Sequence, residues 1–126
     1  MSEIDYRVVS SPVIARDKIP KEDIGEGILL QVIGNGQNLN AIHWNMPDRS
    51  IVPAHSHPQE QFGYVIKGSL ELYMNGQTFL VKAGDSYVIP PGEVHSVKAI
   101  GETELIDVFS PLRNIATAGG RQAVES

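Results

Sequence analysis

The chain has 126 residues, of which 41% are hydrophobic and 20% are charged, so it can form one globular domain with a buried core but not two. No apolar run approaches the roughly 18 residues of a membrane-spanning helix, and a net charge of −5 without a cluster of Lys and Arg argues against a membrane or nucleic-acid partner. The absence of cysteine excludes disulfides and thiolate ligands, so any bound metal must use nitrogen and oxygen donors and the expected partner is a small molecule.

Residues 1–27 are interpreted as an N-terminal arm. Residues 1–7 lack the basic start and the apolar stretch of a secretory signal, so we expect a cytoplasmic location. Residues 12–26 are polar with scattered Ile, which predicts an irregular arm or an edge strand. The barrel itself is assigned to residues 28–113, and residues 114–126 are assigned to a frayed tail that has little to bury.

The middle of the chain predicts many short strands. Turn residues recur roughly every 8 to 15 positions, and no segment between them shows a sustained apolar period of 3.6 residues. The clearest hairpin follows residues 69–74, where apolar and polar side chains alternate and Asn75-Gly76 supplies the positive φ angles of a type I′ turn. Even spacing of this kind is typical of an all-β sandwich or barrel, and the sequence does not separate the two. Further strands are predicted at residues 28–33, 40–46, 61–66, 77–81, 86–89, 95–99 and 104–109.

Three histidines form the most specific pattern in the chain. His55 and His57 stand two positions apart, so on a strand both imidazoles would point to one face and could bind one ion at about 2.0 to 2.2 Å. His95 follows Pro90-Pro91-Gly92, a rigid turn that can aim a third imidazole. The alternative interpretation is that these are packed core histidines hydrogen-bonded to the backbone.

Two segments resemble the two motifs of the cupin superfamily. The first is HSHPQEQ at residues 55–61, followed by Gly68, and the second is GDSYVIPPGEVH at residues 84–95. The resemblance implies a single-domain all-β fold of the cupin type, a double-stranded β-helix that forms a jelly-roll-like barrel. It also implies one divalent transition metal ion inside the barrel.

By this resemblance the metal ligands are His55, His57, Gln61 and His95. The position at which the family has an acidic ligand falls on Gln61, and Glu60 faces away from the ion if the strand alternates. Four neutral ligands leave the ion its full +2 charge, which strengthens it as a Lewis acid and attracts anionic substrates. Nitrogen and oxygen donors favour Zn or Ni, with Mn, Fe and Cu left open.

The last predicted strand carries a second group of candidate residues. Alternation puts Leu105, Asp107 and Phe109 on one face, and a carboxylate inside the barrel could act as a general acid or base. Alternatively, Asp107 satisfies a backbone donor or a partner such as Arg113. The segments HSHPxEQ, YVIPPG and DVFSPLR resemble the pectin-degradation cupins that linearise 4,5-unsaturated monouronates. That resemblance implies a catalytic Asp107 and a substrate-packing Phe109, while Arg113 either binds the uronate carboxylate or lies on the surface.

Three functions remain open at this level. The neutral ligand set and Asp107 favour a redox-neutral enzyme that hydrates and opens, or isomerises, an unsaturated uronate or a related anionic sugar or keto acid. The second is an Fe- or Mn-dependent dioxygenase, although oxygen chemistry at Fe(II) more often uses two His and a carboxylate. The third is a metal-dependent module that binds a small anionic molecule without catalysis. Small cupins resemble one another in pairing through N-terminal strands, so a homodimer through residues 28–33 is expected.

Other polar and aromatic residues are less informative. His43 lies in a predicted strand outside both motifs and is interpreted as structural. Tyr64, Tyr73 and Tyr87 can either line the barrel mouth or pack outside, and periodicity does not choose between these positions.

Overall fold

A computed structural model describes residues 12–114, which form one short 3-10 helix at Arg16–Lys18 and eight strands. All strand pairs are antiparallel. The strands are β1 (Glu22–Asp23), β2 (Leu29–Asn35), β3 (Asn40–Met46), β4 (Ile51–His55), β5 (Glu60–Met74), β6 (Gln77–Lys82), β7 (Ser86–Ile89) and β8 (His95–Ser110).

The eight strands form one sheet that folds over into two layers. The order is β1-β2-β3-β8-β5-β6, with β4 paired to β8 and β7 paired to β5. The long strands β5 and β8 belong to both layers, because residues 60–67 of β5 and 104–110 of β8 pair in one layer and residues 69–74 and 95–100 pair in the other. Apolar side chains from both layers meet in one core, which includes Ile42, Val65, Leu70, Ala99 and Leu105.

The fold-over lies at Gly68 of β5 and Gly101 of β8. The pairing register shifts between Val65 and Ser69, and the two glycines have φ angles of 78° and 74°. A Cβ on Gly68 would lie 2.3 Å from the carbonyl oxygen of Glu102, so any other residue would force the two strands apart. The bend at this point brings the ends of β4, β5 and β8 together around one site.

The all-β prediction is confirmed, and β3 and β7 match their predicted bounds. Asn75 and Gly76 have φ angles of 55° and 75°, as a type I′ turn requires. The predicted strands at 61–66 and 69–74 are one continuous strand, because Gly68 bends the strand without ending it. The predicted strands at 95–99 and 104–109 are likewise one strand, β8, which bends at Gly101. Strand β4 was missed because its sequence, IVPAH, includes a proline and does not alternate.

The arm lies against β2. The side-chain amide of Gln31 donates to the carbonyl oxygens of Arg16 and Ile19 at 3.0 and 2.8 Å, and Arg16 donates back to Gln31 at 3.0 Å. No helix among residues 12–114 is long and apolar enough to cross a membrane. The proposed domain bounds remain predictions, and most of the predicted tail lies outside the described residues.

Candidate metal centre

Strand pairing and one loop bring the three motif histidines together. His55 ends β4 and lies opposite His95, which begins β8. His57 lies in the loop after β4 and not on the strand that its spacing predicted. The carbonyl oxygen of His57 accepts a hydrogen bond of 2.8 Å from the backbone N–H of Gly92, in the turn before β8. The two loops that carry His57 and His95 are therefore joined, and the three ring centroids lie 4.4 to 5.6 Å apart.

Each of the three imidazoles is fixed by a hydrogen bond from Nδ1 to a backbone carbonyl two residues away. The distances are 2.8 Å for His55 to Pro53, 3.1 Å for His57 to Gln59 and 2.8 Å for His95 to Glu93. A carbonyl oxygen can only accept, so each Nδ1 carries a proton and each neutral ring keeps its lone pair on Nε2. This is the tautomer that binds metal through Nε2.

One ring nitrogen from each histidine lies within 4.8 Å of those of the other two, so the group could hold a metal ion. Nε2 of His95 is buried and has no hydrogen-bond partner among the described residues. A buried lone pair without a donor is costly, and a metal ion supplies the missing partner. The residues present therefore fit a divalent metal ion, whereas packing of the histidines in a core leaves this atom unexplained.

Gln61, the second residue of β5, presents its amide oxygen to the same centre. Oε1 lies 3.1 Å from Nε2 of His57, close to the roughly 3 Å expected between two ligands that share one ion. The Gln61 side chain also hydrogen-bonds to Asp107 and Tyr87. Burial raises the pKa of both groups, and these hydrogen bonds oppose part of the rise. Because a carboxylate can only accept, the amide nitrogen is the group that faces Asp107, and the oxygen is left for a metal.

Burial keeps the three histidines neutral. Loss of solvation lowers the pKa of His55 and His57 below 6.5, and it lowers the pKa of His95 to about 4. The positive charge of Arg113 lowers all three values further. Unprotonated rings are the form that binds metal, so the site is ready for a cation at neutral pH.

Asp107 lies on the inner face of β8 and is hydrogen-bonded to Tyr87, with 2.6 Å between the Tyr87 hydroxyl and Oδ1. Tyr87 on β7 and Asp107 on β8 both pair with Gly63 of β5, which lies between them. A Cβ on Gly63 would lie 2.0 Å from Cζ of Tyr87, so this glycine leaves the space in which the ring crosses β5. Burial raises the pKa of Asp107, while hydrogen bonds from Tyr87 and Gln61 oppose that rise.

Arg113 is only 4% exposed, so the alternative of a surface residue is excluded. Its guanidinium carbon lies 5.0 Å from the ring centroid of Phe109, and the His57 ring packs edge-on against that ring at 5.5 Å. The Asn40 side chain holds the main chain of Arg113 from both sides, donating to its carbonyl at 2.8 Å and accepting from its N–H at 3.0 Å. Burial lowers the pKa of Arg113 to about 10, and Asp107 opposes this shift, so the guanidinium stays charged at neutral pH.

A cavity of about 40 Å³ connects the metal centre with Asp107 and Arg113. A water molecule needs roughly 10 to 15 Å³ by this measure, so the cavity holds an ion with a few small ligands but not a whole sugar. A larger ligand would approach from the side of His55, the most exposed of the three histidines. The apolar wall of the cavity consists of Trp44, Met46, Val52, Val97 and Leu105.

The structure gathers every predicted site residue around this centre, although their roles remain predictions. Glu60 is exposed and faces away from Gln61, as alternation predicted. Two supporting residues, Asn40 and Gly63, were missed. Only Gly63 carried a local signal, because a glycine within a strand often marks a close approach of another group. Of the three tyrosines whose position was left open, Tyr87 lines the cavity, whereas Tyr64 and Tyr73 are exposed.

Comparisons with known proteins place this geometry in a family. A family model described as a cupin domain matches residues 42–109. The pectin degradation protein KdgF of Dickeya dadantii (strain 3937) is 33% identical over 99 residues, which cover 77% of this chain and 90% of that protein. The polyketide synthase CurC of Streptomyces cyaneus is 38% identical over 64 residues, covering 48% of this chain and 42% of that protein.

Solved structures agree with the sequence comparison. KdgF from Halomonas sp. superposes with a TM-score of 0.74 at 26% identity, covering 78% of this chain and 93% of that one. An RmlC-like cupin from Shewanella frigidimarina gives a TM-score of 0.73 at 27% identity, covering 88% and 95%. The family match runs from β3 to β8 and contains all four candidate ligands. The chain therefore belongs to the cupin family, and within it resembles the pectin degradation cupins.

Proposed function

We propose that this cupin is a metal-dependent enzyme that converts a 4,5-unsaturated monouronate, or a closely related anionic sugar or keto acid, into a linear keto acid. The observation that carries the proposal is the buried Nε2 of His95, which has no hydrogen-bond partner within residues 12–114. It lies among His55, His57 and Gln61 and shares a cavity with a buried carboxylate. Similarity to a protein named for pectin degradation supports the substrate class. We propose Zn or Ni as the ion.

The charges around the cavity favour an anionic ligand. In the described part of the chain, Asp107 is the one carboxylate among the side chains that line the cavity, and Arg113 faces it. A divalent ion on neutral ligands would add two positive charges to that of Arg113, so the site would carry a net positive charge. A uronate carboxylate compensates part of this charge, and the guanidinium can bind it through two parallel hydrogen bonds.

The proposed reaction involves no net oxidation or reduction. Water adds across the C4=C5 bond, with its hydroxyl on C5 and a proton on C4. The bond between C5 and the ring oxygen then breaks, which leaves a ketone at C5 and the ring oxygen, with a proton, on C1. C1 then carries two hydroxyl groups, the hydrate of an aldehyde, and loss of water completes a linear isomer of the substrate.

The residues of the chain have distinct roles in this proposal. A bound divalent ion would polarise substrate oxygens and lower the pKa of water. Asp107 gives or accepts the proton, and Arg113 binds the substrate carboxylate. Phe109 is fully buried and contacts both His57 and Arg113, so it fixes the positions of a ligand and of the anion-binding group.

The test is elemental analysis of protein purified without an affinity tag, followed by incubation with unsaturated uronates while the alkene absorbance is recorded. We expect about one metal ion per chain and a metal-dependent loss of absorbance. Asp107→Asn should retain the metal and lose about 100-fold or more in kcat, as expected for a lost general acid or base. Stable absorbance with the metal-loaded wild type would refute the reaction.

The apolar cavity wall favours one alternative function. Trp44, Met46 and Leu105 would suit an aromatic or diketone substrate better than a sugar, as in an Fe- or Mn-dependent dioxygenase. That activity would consume oxygen and require iron or manganese. Oxygen-electrode measurements on the iron-loaded protein, with small aromatic and diketone substrates, distinguish it from the redox-neutral reaction.

We also propose that the protein is a cytoplasmic homodimer. The resemblance to small cupins predicts an interface at residues 28–33, but Ile28 and Leu30 of that segment are buried within the chain, and we propose a different face. Phe62, Tyr64 and Ile66 of β5 are each more than 40% exposed on the outer face of the sheet, beside Val88 of β7. Contiguous exposed apolar side chains of this kind favour association with a second copy. Light scattering should give twice the chain mass, and Phe62→Ser should shift the protein towards the monomer.

A further inference from the structure

The contact between Tyr87 and Asp107 is more specific than packing requires. Tyr87 is 8% exposed and belongs to the hydrophobic core, where a phenylalanine would fill the same volume. Packing therefore does not explain the hydroxyl group of Tyr87. That hydroxyl donates a hydrogen bond of 2.6 Å to Oδ1 of Asp107, across a strand that carries glycine at the crossing point.

Asp107 lies where a bound metal would attract it. Its carboxylate lines the same cavity as His55, His95 and Gln61, and it is hydrogen-bonded to the amide of Gln61. Carboxylates are common ligands of divalent transition metals. If Asp107 joined the ion, the ligand set would gain a negative charge, and the carboxylate could no longer exchange a proton with a substrate.

We propose that Tyr87 is a positioning residue that holds Asp107 off the metal and keeps its carboxylate available to the substrate. The part that concerns the substrate rests on the proposed function, whereas the part that concerns the metal does not. Gly63 is a condition of the arrangement, because a side chain at that position would push the Tyr87 ring away from Asp107.

The test uses Tyr87→Phe, Asp107→Asn and the double variant, with Tyr73→Phe as a matched control. Tyr73 is 51% exposed on the same strand as Gly63 and lies outside both the site and the proposed dimer surface, so its substitution also removes one tyrosine hydroxyl but leaves the site unchanged. Each protein is loaded with Co²⁺. The visible spectrum reports the ligands of the ion, and competition with a chelator reports the affinity.

Tyr87→Phe should bind Co²⁺ about tenfold more tightly and show a changed visible spectrum, because the released carboxylate becomes an additional ligand. Tyr73→Phe should match the wild type. In the Asp107→Asn background, Tyr87→Phe should have no further effect on spectrum or affinity, since there is no carboxylate to release. With an unsaturated uronate, Tyr87→Phe should lower kcat about tenfold and change KM less than twofold.

An unchanged spectrum and affinity in Tyr87→Phe would overturn the proposal, and so would an equal change in the Asp107→Asn background. If Tyr87→Phe does not fold, Gly63→Ala replaces it in the test, because the added Cβ would displace the Tyr87 ring and break its hydrogen bond to Asp107. This variant should give the same Asp107-dependent spectral change. If the wild type shows no turnover of uronates, the proposed function fails. The cobalt spectra of the same variants still decide the role of Tyr87.

Discussion

The inner and outer faces of the sheet each carry a buried, hydrogen-bonded histidine, but the ring nitrogens of the two histidines have different partners. On the outer face, Nε2 of His43 donates to Glu104 at 2.6 Å, and Nδ1 accepts from Arg16 at 3.5 Å. On the inner face, Nδ1 of His95 donates to a backbone carbonyl, and Nε2 has no partner among the described residues. Burial is therefore common to both histidines, and the difference lies in where the lone pair points.

This difference separates a structural histidine from a candidate ligand. At His43 one nitrogen contacts Arg16 of the N-terminal arm and the other contacts Glu104 of β8, so both nitrogens are occupied by structural contacts. At the inner site the backbone uses one nitrogen of each ring and leaves the other for an ion. A position that is equally buried can thus serve either purpose, depending on what surrounds the second nitrogen.

The largest expected effect comes from removing one inner imidazole. His57→Ala should lower metal affinity by about 100-fold or more and remove the stabilisation that a bound ion gives to the folded state. At a metal concentration 1,000 times the dissociation constant, that stabilisation is about 4 kcal/mol. Metal content by elemental analysis and thermal unfolding with and without added metal measure both effects.

His43→Ala is the matched control on the outer face. It should retain the full metal content while losing about 1 to 2 kcal/mol of stability, because Glu104 and Arg16 lose a partner. If His57→Ala kept its metal, or if His43→Ala released it, the contrast between the two faces would be wrong.

A smaller effect is expected from changing the charge of the inner site. Gln61→Glu keeps an oxygen at the ligand position but adds a negative charge, so metal affinity should rise about tenfold and kcat should fall as the ion becomes a weaker Lewis acid. Metal preference should also move towards Fe and Mn. Gln61→Met removes the oxygen at similar volume and should weaken metal binding. No change in either variant would place Gln61 outside the ligand set.

The sequence located the candidate ligands better than the residues around them, for a physical reason. His55, His57, Gln61 and His95 lie in motifs whose spacing can be seen along the chain. The contact of Tyr87 with Asp107 depends on three strands that meet at Gly63, and such pairings between distant segments leave no local periodicity.

His43 on the outer face shows the same limit of prediction from sequence. Periodicity placed His43 in a strand, but it could not show that Arg16 and Glu104 occupy both of its nitrogens. The long bent strands were predicted in halves for a related reason. Gly68 reads as a turn in the sequence, and only its pairing partners show that the strand continues.

The smallest effect concerns pH, and it tests how the inner rings stay neutral. Burial lowers the pKa of His95 to about 4 in the folded protein, whereas an unfolded chain has a value near 6.5. Between these values the unfolded state binds more protons, so the free energy of unfolding of the metal-free protein should fall as pH drops from about 6.5 to 4. His95→Gln removes this contribution, so its stability should depend less steeply on pH than that of the wild type. The difference should amount to roughly 1 to 3 kcal/mol across this range, measured by urea unfolding at several pH values with chelator present. Parallel curves for the two proteins would show that the His95 ring titrates normally, and its burial would then not explain why it is available to a metal.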